Sequence, residues 1–202
     1  MNNLVTVFPS LFLPPISYFS LLLNAENAVI DIYEHYPKQT CRNRCFIYAA
    51  NGVLPLVIPV HKNEHHTPFN DVKIAYENNW QIAMWRSIVS AYGSSPFFTF
   101  YDYLIEPIFK QEPEYLLEYN TRLTELILKL LKQPQKLNFS AAYVEENIGN
   151  DYRNNFGKHY RKNSIELKKY HQPFEEKHGF QQDLSMLDLL FNEGPNAINY
   201  LK

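Results

Sequence analysis

Between residues 34 and 45 the chain gathers most of the side-chain types that polar chemistry needs: a carboxylate, an imidazole, amides, thiols and three permanent cations. Arg42 and Arg44 are separated by one residue, so on an extended backbone their side chains point the same way. Two guanidiniums on one face can grip a phosphate or carboxylate bidentately. With Lys38, Gln39 and Asn43 nearby, residues 38, 39, 42, 43 and 44 form the candidate substrate-binding set. The same spacing suits equally well a pair of structural ion bridges, to Glu34 or to carboxylates on a helix from Pro96 to Lys110. Glu34 and His35 are the candidate catalytic pair for proton transfer, because a histidine titrates near neutrality. Adjacent residues on a strand face opposite ways, so both enter one pocket only if the chain turns there, as Pro37 favours. A solvent-facing histidine is the competing reading.

The elements that would position this run are two apolar segments, Ala28 to Tyr33 before it and Phe46 to Tyr48 after it. Leu4 to Phe8 reads as a buried first strand ended by Pro9. Pro14 and Pro15 can open a helix, since its first turn needs no backbone donors, and Ile16, Phe19, Leu22 and Leu23 follow at helical spacing. Strand, helix and strand within about thirty residues fit a βαβ unit with a right-handed crossover. Functional loops gather at the carboxyl ends of such strands, where 34–45 would begin. Asn51-Gly52 between apolar runs predicts a hairpin, with Pro55 and Pro59 pushing its second strand to an edge. The second half reads as helical. Asn79 caps one helix, Ser95-Pro96 opens an aromatic one, and from Pro113 a stripe of Leu116, Tyr119, Leu123, Leu126, Ile127 and Leu130 marks a third. Residues 146–172 look polar and irregular, and Ser185 to Asp188 resembles a capping box. The expected fold class is α/β: a sheet opened by a βαβ unit, with an added antiparallel hairpin, covered by helices from the C-terminal half.

At 202 residues, 46% hydrophobic and 20% charged, the chain suits one globular domain over 1–202. A net charge of -2 disfavours a nucleic-acid partner. No glycine-rich nucleotide motif occurs among its six glycines. Two cysteines at C-x3-C spacing make neither a disulfide framework nor a zinc site, and no Ser or Cys stands beside a recognisable base and acid. His61, His65 and His66 with Glu64 and Asp71 invite a metal, but their irregular spacing favours a solvated loop, so no metal site is expected. Arg153, Lys158, His159, Arg161 and Lys162, interleaved with Tyr152, Phe156 and Tyr160, read as a basic surface loop or a phosphate-gripping flap. The apolar run from Leu11 to Leu23 carries two prolines and is too short to span a bilayer. The chain is therefore expected in the cytoplasm, with no membrane span.

Several stretches resemble the WbqC-like protein family: Pro9 to Pro14 followed by Ile16-Ser17-Tyr18-Phe19; Lys38 to Cys45 with Arg42-Asn43-Arg44; Leu56 to Val60; and Leu184 to Leu190. Where the family pattern has Gln-Pro and Pro-Trp, this chain has Phe8-Pro9 and Pro14-Pro15. The resemblance implies a role in surface-polysaccharide (O-antigen-type) or glycoconjugate biosynthesis, without a defined reaction or cofactor. The leading expectation is a transferase-like enzyme on a phosphorylated or nucleotide-activated sugar. The alternative is a non-catalytic binding or scaffold protein, which predicts an exposed apolar patch on the Phe97 to Tyr103 helix and a 34–45 run locked in ion pairs. A nucleotidyltransferase is disfavoured, since Pro9 to Tyr18 lacks both His and Gly. Whether the chain self-associates is open.

Overall fold

The computed structural model describes residues 4–64, 66–162 and 166–201. The first strand, β1 (Val5–Phe8), is the centre of a three-stranded parallel sheet. It pairs with β2 (Ala28–Ile30) on one side, Phe8 opposite Ile30, and with β5 (Ile148–Asp151) on the other, Val7 opposite Asp151. Burial on both sides suits its apolar content, and Val7 and Phe8 are fully buried. The connection from β1 to β2 is α1 (Ile16–Asn24), which Pro15 precedes in an extended conformation. Two donors of its first turn are satisfied from far along the chain: Ile16 N–H by the Leu184 carbonyl (3.0 Å) and Ser17 N–H by Asp183 Oδ1 (2.9 Å).

The predicted strand Ala28 to Tyr33 ends three residues early, at Ile30; Asp31 N–H still donates to the Phe8 carbonyl (2.9 Å), while its side chain turns to a buried ion pair. The hairpin forms as a sheet of its own, β3 (Arg44–Ala49) against β4 (Gly52–Val57). Its turn residues are Ala50 and Asn51, since Ala49 pairs with Gly52. Gly52 takes the positive φ (+101°), which a side chain rarely adopts, so the required glycine sits just after the turn.

Helices α2 (Trp80–Tyr92), α3 (Phe98–Phe109) and α4 (Leu116–Leu130) pack one against the next. In α4 the buried positions Leu116, Tyr119, Leu123 and Ile127 follow the expected stripe. A short helix, α5 (Glu175–His178), precedes α6 (Met186–Glu193). Ser185 caps α6 through Leu187 N–H. Asp188 does not close a capping box: it turns inward and accepts bonds from the hydroxyls of Tyr92 and Tyr170 and from Gln172. Gly194 ends the helix at φ +54° with its α-carbon against the Phe97 ring. Buried side chains from Phe8 to Leu201 form one apolar cluster.

Candidate functional site

Because the sheet is parallel, the ends of β1, β2 and β5 open on the same side, where α/β folds carry their ligands. There the chain places Asp31 just after β2, Asp151 at the end of β5 and Arg153 two residues on. Arg153 donates from Nη1 to Asp31 Oδ2 (2.6 Å) and from Nη2 to Asp151 Oδ2 (2.6 Å). Asp31 is fully buried and takes further bonds from Ser140 Oγ, Tyr33 N–H and Val144 N–H, so each oxygen is used. Burial works to raise the Asp151 carboxyl, but the Arg153 bonds outweigh it and hold Asp151 below the usual range. Tyr143 lies under the same guanidinium at 4.6 Å and stacks on His35.

A second ion pair joins this cluster. Arg42 donates from Nε to Glu34 Oε1 (2.8 Å) and from Nη2 to Oε2, with Nη2 also on the Arg153 carbonyl (3.1 Å). Both partners are buried, at 2% and 4% exposure. Burial raises the Glu34 carboxyl, and the Arg42 bonds work against that rise. Of the two readings of the arginine pair, the ion bridge to Glu34 therefore holds for Arg42. Arg42 precedes β3 in a turn, with Gln39 at φ +61°, so its side chain does not share a face with Arg44.

Arg44 instead lines a half-open cavity of about 260 Å³. One wall is Tyr36, Lys38, Gln39, Asn43 and Arg44; the other is Val60, His61, Lys62 and Asn63. The walls are held together beneath by Asn43, whose Nδ2 donates to the Ile58 carbonyl (2.8 Å) while its own carbonyl accepts from Ile58 N–H (2.8 Å). His61 N–H on Lys73 O anchors the second wall (3.0 Å). Among the described residues, three permanent cations face this space and no carboxylate lines it. The Arg44 Nε is buried with no hydrogen-bond partner among the described residues. Burial pushes the Tyr36 phenol up to about 12 against the pull of Arg42 and Arg44, so it stays a donor at neutral pH. The arrangement can hold a compact anion.

Of the sequence-derived site residues, the structure brings Lys38, Gln39, Asn43 and Arg44 to one cavity. Arg42 and Glu34 lie behind it as a buried pair. His35 is on neither: it is exposed, with Nδ1 donating to the His66 carbonyl (2.9 Å), and it faces His66 and Tyr143. His65 lies outside the described residues. Among those described, no group of three or more His, Cys, Asp or Glu is arranged to hold a metal. No helix is long and apolar enough to cross a membrane, again among the described residues. Cys41 and Cys45 are buried, and burial pushes both thiols up, which leaves them poor nucleophiles. The basic flap is anchored rather than open: Arg153 is spent on Asp31 and Asp151, Phe156 and Tyr160 are core residues, and Arg161 donates to the Gln182 carbonyl.

The WbqC-like protein family model matches residues 10–152, a span that includes Asp31, Glu34, both cavity walls and Asp151. The chain belongs to the WbqC-like protein family. This WbqC-like chain is similar to uncharacterized protein Rv1507c of Mycobacterium tuberculosis, at 23% identity over 231 residues covering 98% of this chain and 97% of that protein. No solved structure matches it. Reasoning from residue types missed two parts of the site of this WbqC-like fold. Lys62 and Asn63 sit in a stretch with no pattern. Asp31 and Arg153 are far apart in sequence, although an aspartate inside the apolar run Ala28 to Tyr33 is itself a signal of a buried partner.

Proposed function

We propose that the chain binds a phosphorylated intermediate of surface-polysaccharide or glycoconjugate biosynthesis in the cavity between residues 36–44 and 60–63, and acts on it as a transferase-like enzyme. The observation that carries the reading is the concentration of Lys38, Arg44 and Lys62 around a space that no carboxylate among the described residues lines. Lys38, Gln39, Asn43 and Arg44 hold the substrate, and Arg42 acts through Glu34 as a positioning pair that stiffens the wall. A proton-transfer role for His35 requires the substrate to extend out of the cavity, because His35 stands against His66 and Tyr143 and does not line it. The reading takes 1–202 as one cytoplasmic domain.

Calorimetry against a panel of sugar phosphates, nucleotides and sugar nucleotides tests the site. Binding of at least one member, weakened about tenfold or more by Arg44→Ala, is the expected result. No heat with any member, or undiminished binding by the variant, overturns it. A second reading, a non-catalytic binding or scaffold protein, is favoured by the outer face of α3, where Phe100 and Tyr103 are 62% and 63% exposed. It predicts ligand binding without turnover in any pairing of a phosphorylated donor with a sugar acceptor, and no effect of His35→Gln.

A further inference from the structure

We propose that the ligand of this cavity is a small hydroxylated phosphate monoester, of the size of a hexose monophosphate, rather than a nucleotide-diphosphate sugar. The inference rests on the anion-site reading above and narrows it to one chemical class.

Size argues first. Pockets that enclose drug-sized ligands run from about 300 to 1,000 Å³, and this cavity holds about 260 Å³. A sugar ring with one phosphate matches a space of that size, whereas a nucleotide-diphosphate sugar would have to project through its open side.

Charge argues next. A phosphate monoester carries about -1.5 to -2 at neutral pH with three strong acceptor oxygens. Arg44 in the wall and the exposed Lys38 and Lys62 at the rim can meet that charge from two sides, because they come from opposite walls clamped by Asn43 and Ile58. The remaining polar lining is amide, phenol and imidazole: Gln39, Asn43, Asn63, Tyr36 and His61, which suit the mixed donors and acceptors of sugar hydroxyls. A nucleobase asks for an apolar slot between flat surfaces. Here the aliphatic lining is Val60, and the two rings, Tyr36 and His61, stand on opposite walls beside charged neighbours.

Calorimetry with inorganic phosphate, glucose 1-phosphate and a uridine-diphosphate sugar separates the outcomes. We expect glucose 1-phosphate to bind at least about tenfold more tightly than either inorganic phosphate or the uridine-diphosphate sugar. We expect Arg44→Ala, and independently the surface double variant Lys38→Ala/Lys62→Ala, to weaken it by about tenfold or more. The double variant removes two exposed side chains, so a folding defect in Arg44→Ala leaves the test intact. Tighter binding of the uridine-diphosphate sugar, still dependent on Lys38 and Lys62, overturns the monoester assignment and keeps the anion site. Equal binding of glucose 1-phosphate and inorganic phosphate also overturns it, because the hydroxyls then contribute nothing. Absence of binding by all three, or binding untouched in both variants, overturns the anion site itself.

Discussion

Replacing Arg42 by Ala tests whether the buried pair with Glu34 holds this end of the molecule. The substitution removes two donors to Glu34 and one to the Arg153 carbonyl, and it strands a carboxylate that is 4% exposed. Breaking one side of a buried ion pair costs about 3–5 kcal/mol, because the remaining charge keeps its desolvation penalty and loses its partner. For a chain of this length each kcal/mol moves Tm by about 2–4 °C, so the midpoint is expected to fall by roughly 6–20 °C. Urea unfolding of the wild type, Arg42→Ala, Glu34→Ala and the double variant gives the coupling directly. The double variant is expected to lose less than the sum of the singles by roughly 1–3 kcal/mol, since no charge is then stranded. The penalty also has a pH signature. Without Arg42, burial and the neighbouring Asp31 push the Glu34 carboxyl further up against Arg153 alone, so the loss is expected to be smaller at about pH 5 than at about pH 8. A loss under about 1 kcal/mol, additive singles, or a loss that shrinks as pH rises would refute the reasoning.

Three further outcomes follow from the same geometry. Asp183 is raised to about 6, chiefly by burial and against the bonds from Ser17, so the folded state binds its proton more tightly than the unfolded chain. Its contribution to stability is therefore greatest below about pH 4 and declines as pH rises to about 6. Asp183→Asn should flatten that part of the urea-midpoint profile, while an unchanged profile assigns the slope to Glu34 and Asp188, which burial also raises. Gly194→Ala drives a methyl into the Phe97 ring at φ +54° and should lower stability by about 1–3 kcal/mol. Gly179→Ala, at φ +72° in open space, reports the backbone strain alone and should lose less. Cys41 and Cys45 should resist iodoacetamide in the native protein and react once urea unfolds it, and rapid native labelling of either would show an opening that the packed structure lacks.

The fold was legible wherever apolar spacing and a punctuating residue agreed. Pro9 after β1, Pro15 before α1, the stripe of α4 and the turn before Gly52 all left such marks. Strand β5 left none. Its four residues, Ile148-Gly149-Asn150-Asp151, have almost no apolar content, and backbone pairing with β1 makes them a strand. The site divided along the same line. The cations of one wall stood in a single local run, but the partners that decide their roles come from elsewhere. Glu34 takes Arg42 out of the anion grip, and the second wall supplies Lys62 from a stretch whose form is set by pairing with Lys73 and Ile74. Phe8 is fully buried against Tyr18 and Tyr152.

The central place of β1 has a consequence for the birth of the molecule. As the chain is made, β1 meets β2 within about twenty residues, but its other edge is filled by residues 148–151. The cap of α1 comes later still, from Asp183 and Leu184. Synthesis at about 5–20 residues per second leaves that edge uncovered for several seconds at least. A bare strand edge is a template for pairing with another chain. In this molecule the hazard is timed by translation: it begins when β1 emerges and ends when the polar strand β5 arrives.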